Sequence, residues 1–204
     1  MLEVHDLAAQ RGDARLFSGV SLSLGPGTAL FVRGPNGSGK TTLLRILAGA
    51  TQAAAGRVLW RGEQVGPFHP ALRASAIFIG HAPALKDELT AEENLASLAT
   101  LHGAPAERAA VLEALNAWSL SRQRALPARV LSQGQRRRVA LARLWLLSRP
   151  LWLLDEPATA LDAAGQVTLR DALAAHLAAR GIAVIATHQD LPVASGAHQS
   201  LLLA

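Results

Sequence analysis

Gly34-Pro35-Asn36-Gly37-Ser38-Gly39-Lys40-Thr41-Thr42 is the stretch whose reading decides the fold. It fits the phosphate-binding pattern G-x-x-x-x-G-K-[ST] at every fixed position, with Gly34, Gly39, Lys40 and Thr41 in the required places. A polyphosphate needs many donors converging on it, and a glycine-rich turn lets backbone N–H groups point inward because no side chain blocks the approach. Lys40 supplies a point charge toward the β- and γ-phosphates, and the Thr41 hydroxyl is placed to ligate Mg²⁺. The turn as a whole, Pro35, Asn36, Gly37, Ser38 and Thr42 included, is therefore the candidate nucleotide-phosphate site.

Upstream of this turn, residues 28–33 read as a short buried strand; downstream, residues 41–48 read as a helix with Leu43, Leu44 and Leu47 on its apolar face, stopped by Gly49. The turn thus ends at a helix N-terminus, whose dipole favours an anion. Farther out, residues 2–9 and 19–24 alternate apolar with polar, as strands of a half-exposed antiparallel sheet do. Residues 56–60 and 74–80 are further strand candidates, with Gly62, Gly66, Pro67 and Pro70 marking a loop between them. From residue 83 to 147 the pattern turns helical. There, 91–101 is introduced by Thr90 and Glu93 in capping-box spacing, and 105–118 follows. Residues 151–154 restore the buried-strand signal, Asp162 can cap a helix over 163–180, and 182–186 is again an all-apolar strand. Strands alternating with helices imply a mainly parallel sheet that gathers ligands at the carboxyl ends of its strands.

At such an end, Leu151-Trp152-Leu153-Leu154 delivers the carboxylates Asp155 and Glu156. A carboxylate beside a phosphate-loop threonine completes the usual Mg²⁺ arrangement, which makes Asp155 the metal-side candidate; Glu156 is left to polarise an attacking water as general base.

Leu131-Ser132-Gln133-Gly134-Gln135 with the basic run Arg136-Arg137-Arg138, then Leu153-Leu154-Asp155-Glu156-Pro157, Ala160-Leu161-Asp162 and Thr187-His188, resembles in order and spacing the ATP-binding subunits of ABC transporters. The resemblance extends over nearly all 204 residues. It implies a single P-loop NTPase domain of α/β class. The core, 1–82 and 149–204, would hold a mainly parallel sheet and an N-terminal antiparallel β subdomain, with a helical signature subdomain inserted at 83–148. It also implies a head-to-tail homodimer in which Ser132 and Gly134 of one copy contact the γ-phosphate of ATP held by the other. His188 would be the switch histidine, and Asp162 would lie at the dimer interface. Two positions depart from the family pattern. Ala82 stands where a glutamine usually reaches the Mg²⁺, and Arg11 replaces the aromatic that usually stacks on adenine. A guanidinium plane can also stack.

Within that family the likeness runs to the ATP-binding subunits of cytochrome c maturation, or haem exporter, systems. It is carried by Leu16-Phe17-Ser18-Gly19, Ile79-Gly80-His81, Leu89-Thr90-Ala91, Glu93-Asn94-Leu95 and the run from Arg137 to Leu146. The implied partners are integral membrane subunits, and the implied location is peripheral, on the cytoplasmic face of a bacterial inner membrane.

Composition narrows the alternatives. The absence of cysteine removes disulfides and thiolate metal sites from this chain, and the seven histidines show no paired ligand spacing. A formal charge of +5 suits an acidic partner or an anionic membrane surface. The longest apolar stretch, 139–154, is broken by Arg143, Ser148, Arg149 and Pro150, so no bilayer span is expected; the acidic, alternating start is unlike a signal peptide. Three consecutive arginines fan out by about 100° each on a helix, which favours a solvated face or support for the signature motif over a nucleic-acid stripe. An ATP-gated assembly module with little turnover is the competing reading, because alanine at 82 can neither ligate nor donate.

Overall fold

The computed structural model describes residues 1–104, 107–188, 191 and 196–203. Its chain falls into two compact units. The first comprises residues 1–78, 149–156 and 173–204; the second comprises 79–148 and 157–172.

Two sheets build the first unit. In the antiparallel one, β1 (Leu2–Arg11) lies between β2 (Ala14–Leu24) and β4 (Ala55–Trp60), and β5 (Glu63–Val65) pairs with β4, giving the order β2-β1-β4-β5. Leu2, Val4, Leu7 and Ala9 alternate with more exposed neighbours along β1, so one face is buried as the sequence pattern demands. The other sheet has five strands in the order β6-β7-β8-β3-β9. These are β6 (Ala76–Ile79), β7 (Leu151–Asp155), β8 (Ile182–Ala186), β3 (Thr28–Arg33) and β9 (Ala197–Leu202). β8 runs parallel to both β7 and β3, and every residue of β7 and β8 is buried. Such continuous apolar runs are what a parallel sheet covered on both faces requires. Between the two sheets' inner faces, α1 (Lys40–Leu47) buries Leu43, Leu44, Ile46 and Leu47 in one core with Leu2, Leu24, Leu30, Val58, Leu153 and Val184.

Register places the chemistry. Asp155 pairs with Ala186 across β7 and β8, and Ala186 pairs with Val32 across β8 and β3. The three chain segments that leave these parallel strands at their carboxyl ends therefore emerge side by side, about 5 Å apart per strand.

The second unit is helical, with α3 (Ala91–Leu101), α4 (Arg108–Ala117) and α5 (Gln133–Leu146). Thr90 caps α3 in a complete capping box with Glu93, and hydrogen bonds from Thr90 hold the Glu93 carboxyl below the usual carboxylate range. Trp118, fully buried after α4, meets Trp145 of α5 edge to face at 5.5 Å between centroids. The expected helix from residue 105 begins at Arg108, and Pro105 and Ala106 lie outside the described residues.

Several elements differ from expectation. The loop assigned to 61–73 contains β5, reached by the two-residue hairpin Arg61-Gly62 with φ of 55° and 87°, and α2 (Pro70–Ser75), which His69 caps. The strand expected from 74 consequently starts at Ala76. β9 joins the open edge of the parallel sheet beside β3, although its outward residues give no buried alternation.

Late in α6 (Ala163–Ala178), His176 stacks on Trp152 with ring centroids 3.9 Å and planes 11° apart. Gly181 makes this possible, since a Cβ there would lie 2.2 Å from the imidazole ring. Burial pulls the His176 pKa from 6.5 to about 4, against a smaller opposing effect of its hydrogen bond to the Ile182 carbonyl at 3.2 Å. An unfolded chain takes up this proton near pH 6.5, whereas the folded chain resists it until about pH 4. The stabilisation is thus complete above pH 6.5 and drains away as pH falls toward about 4. Urea unfolding should lose up to about 3 kcal/mol through this group across that window. His176→Phe, which keeps a stacking ring, should show a correspondingly flatter profile; an identical profile would refute the assignment.

Candidate active site

The phosphate loop leaves β3 at Gly34 and ends at Gly39, the residue before α1. Gly34, Gly37 and Gly39 have φ of 144°, 89° and 95°, a region that L side chains rarely adopt. Space is restricted as well. A Cβ on Gly34 would lie 2.2 Å from the Leu203 carbonyl oxygen and 2.7 Å from Ser38 Oγ; one on Gly39 would lie 2.9 Å from the Phe17 ring. Lys40 is buried and its ammonium donates to the carbonyls of Gly34 and Pro35 at 2.8 and 2.9 Å, which curls the loop around its charge. Ser38 Oγ is buried with no hydrogen-bond partner among the described residues.

Thr41 sits in the first turn of α1, and its hydroxyl donates to Asp155 Oδ2 at 2.7 Å. Register explains the meeting: Asp155 is the last residue of β7, two strands from the one that feeds the loop. Asp155 is 3 % exposed, so its carboxylate is delivered into an enclosed place beside a helix N-terminus.

Glu156 follows with φ 49°, a left-handed conformation costly for a glutamate, and its N–H donates to the Ala186 carbonyl at 2.8 Å. That turn separates the directions of two adjacent carboxylates. Glu156 Oε1 lies 3.5 Å from His188 Nε2, and the same nitrogen is 3.2 Å from Asn36 Oδ1 of the loop. With the proton on Nε2, the imidazole N–H donates to the Asn36 amide oxygen, and the Glu156 carboxylate stands within ion-pair distance of the same nitrogen. Loop, Thr41, Asp155, Glu156 and His188 are thus brought together in the first unit. Arg11 is exposed at the end of β1, where the chain turns into β2.

Ser132 and Gly134 belong to the second unit. Ser132 is the N-cap of α5; its hydroxyl accepts from the Gln135 N–H at 3.2 Å while Gln135 Oε1 accepts from the Ser132 N–H at 2.9 Å. The hydroxyl stays exposed at a helix N-terminus with its proton available to an acceptor. Gly134 packs so closely that a Cβ would lie 2.7 Å from the Ala160 carbonyl oxygen. Asp162 Oδ1 caps α6 through the Gly165 N–H at 2.9 Å and also pairs with Arg138; the backbone bond, then Arg138, holds its carboxyl below the usual range.

Two organising residues, both inside stretches that carry the family resemblance, give no sign there of the role they play. Asn94, 2 % exposed, donates to the carbonyls of Lys86, Leu89 and Thr90 and accepts from the Lys86 N–H at 2.8 Å, which shapes the whole loop before α3. Arg137 is the other. A polar residue on an apolar helical face was the available hint, but it does not name partners distant in sequence.

The ABC transporter family profile matches residues 17–159. The cytochrome c biogenesis ATP-binding export protein CcmA of Aromatoleum aromaticum is 48% identical over 95% of this chain and 91% of its own length. CcmA of Pseudomonas aeruginosa is 46% identical over 94% of each chain. Among solved structures, the ATP-binding cassette MJ0796, a dimer in a post-hydrolysis state bound to ADP and Pi, superposes with TM-score 0.82 at 25% identity, covering 93% of this chain and 88% of that one. A putative ABC transporter ATP-binding protein from Pyrococcus furiosus shares the fold at TM-score 0.84 and 23% identity, covering 98% of this chain and 96% of that one. With a strand-borne carboxylate bonded to the phosphate-loop threonine and relatives matched over nearly their full lengths, this chain belongs to the ATP-hydrolysing subunits of ABC transporters, among the cytochrome c biogenesis export proteins CcmA.

Proposed function

We propose that the chain powers haem export or delivery for c-type cytochrome biogenesis by hydrolysing ATP between two copies of itself. The observation that carries the enzymatic part is the 2.7 Å bond from Thr41 to Asp155, with Glu156 next in the chain at the mouth of the sheet. The donor set suits a magnesium nucleotide. Hydroxyl and carboxylate oxygens are the hard ligands Mg²⁺ takes, and the Gly34 cradle would be filled by any side chain. Mg²⁺ held by Thr41 and Asp155 would neutralise charge on the β- and γ-phosphate oxygens.

The remaining roles fall to the chain's own groups. Backbone amides of the loop, from Asn36 to Thr42, and the Lys40 ammonium bind the phosphates. Glu156 orients a water and accepts its proton as the new P–O bond forms and the bond to the leaving ADP oxygen breaks. His188, its Nε2 beside Asn36 and Glu156, donates toward the γ-phosphate. Arg11 stacks on adenine. Ser132 and Gly134 of the second copy close the site with a hydroxyl and a helix N-terminus; the dimeric state of MJ0796 supports such pairing.

Partners are integral membrane subunits of the CcmB and CcmC type, with this chain at the cytoplasmic face of the inner membrane. In support, no helix among the described residues is long and apolar enough to cross a membrane. Replacing Lys40 by alanine in the chromosomal gene should abolish covalently haem-bound c-type cytochromes on haem-stained gels while b-type haem proteins persist. Normal c-type cytochromes would overturn the haem assignment, and membrane proteins co-purifying with the tagged chain would then identify the true partner.

A further inference from the structure

Three consecutive arginines follow the first three residues of α5, and each ends somewhere different. Arg136 pairs with Asp87 at 2.6 Å and donates to the Ala128 carbonyl at 3.0 Å; Arg138 pairs with Asp162. Arg137 turns inward and is 3 % exposed. Its Nη1 donates to the Gly80 carbonyl at 2.7 Å and the His81 carbonyl at 3.3 Å, while its Nε donates to the Pro157 carbonyl at 3.2 Å. Gly80 and His81 are the residues that follow β6, and Pro157 follows Glu156. One planar cation therefore ties the backbone of the segment leading to Ala82 to the backbone next to the proposed base.

That placement is expensive. A buried cation loses its hydration, and Arg143, a second buried arginine on the same helix, lies close enough for mutual repulsion. Burial first, and the charge of Arg137 second, pull the Arg143 pKa down to about 10. Charge-assisted bonds to three carbonyls offset the cost for Arg137, and a rigid fork of donors suits it to reach separate strands of backbone. Carbonyls are available whatever side chains the segment carries. Ala82 is exposed and brings no polar group, so a link made through the main chain does not need one.

We propose that Arg137 is a positioning residue for the reaction: by tying the Pro157 carbonyl to those of Gly80 and His81 it fixes the backbone that follows Glu156, and with it the setting of the base. The proposal rests on Glu156 acting as that base. Since the bonds from Lys40 and Thr41 are untouched, nucleotide binding should survive its loss while turnover suffers.

The test uses the purified full-length chain and steady-state phosphate release, normalised to nucleotide-binding sites counted by titration. Arg137→Met should lower kcat about tenfold or more, since even one lost charge-assisted bond is worth about that factor, with KM for ATP within about twofold of wild type. Arg137→Lys, which keeps the charge but can satisfy fewer carbonyls, should recover part of the loss. A kcat within about twofold of wild type for both variants, or a KM that rises in step as kcat falls, would overturn the proposal. Should Arg137→Met fail to fold, Arg137→Lys and Arg137→Gln carry the same comparison. Hydrogen exchange provides a readout independent of turnover: residues 79–83 and 156–160 should both exchange faster in the variants, and a change confined to one segment would sink the coupling. Wild type and Glu156→Gln run alongside. If those two hydrolyse ATP equally, it is the reading of Glu156 that fails, whereas exchange still reports on Arg137.

Discussion

Glu156→Gln should lower steady-state ATP hydrolysis at least about a hundredfold, leave ATP binding in place and yield a dimer that appears only with ATP. The amide is nearly the size of the carboxylate and needs no change in the left-handed turn at φ 49°, whose N–H remains bonded to the Ala186 carbonyl. What it lacks is a proton acceptor of useful basicity. Asp155 and Thr41 are not altered, so on the proposed mechanism nucleotide and metal should still be gripped while the step that separates the copies is blocked. Sedimentation with and without ATP, together with phosphate release, reads both halves of the expectation. A variant that turns over like wild type, or remains monomeric at saturating ATP, would remove Glu156 from the role of base.

Gly34→Ala has the second large effect. The added methyl would sit 2.2 Å from the Leu203 carbonyl oxygen and 2.7 Å from Ser38 Oγ, and φ 144° is unfavourable for alanine before any contact is considered. The obstacle includes backbone at the end of β9's segment, which cannot step aside as a flexible side chain can. The loop must therefore open or the strand must shift, at a cost of about 3 kcal/mol or more. Nucleotide affinity should fall by about a hundredfold or more, with a lowered unfolding midpoint. Gly37 supplies the control: φ is 89° but nothing lies within 4 Å of its Cβ position, so Gly37→Ala pays for backbone conformation alone, about 1–2 kcal/mol. Equal affinities for the two variants, measured by calorimetry, would show that the crowding around Gly34 is not what shapes the loop.

Much of this site is legible in the chain because its parts announce themselves locally. A short apolar strand, a glycine turn with Lys40 and Thr41, and a second apolar strand ending in Asp155 and Glu156 each follow from residues next to one another. Parallel pairing then brings their ends together without further instruction. What stayed hidden depends on partners far away. β9 has no buried alternation because it is an edge, and it is recognisable only once β3 is there to receive it. Arg61-Gly62 lacks the asparagine or aspartate that usually signals a two-residue hairpin, so β5 and α2 disappeared into a stretch rich in glycine and proline. Arg137 looks like its two neighbours in sequence; burial alone distinguishes it, and burial is set by the segments after β6 and β7.

The pairing of Asp155 with Ala186, and of Ala186 with Val32, also limits how this chain can vary in length. Remove one residue within β7 and Glu156 moves into the register position of Asp155, presenting Thr41 with the longer glutamate; insert one and Leu154 takes that position, leaving Thr41 without its carboxylate partner. Indels should accordingly be filtered out of β7 and β8, and accumulate instead at the Arg61-Gly62 tip, where an extra residue disturbs no strand that carries a reacting group.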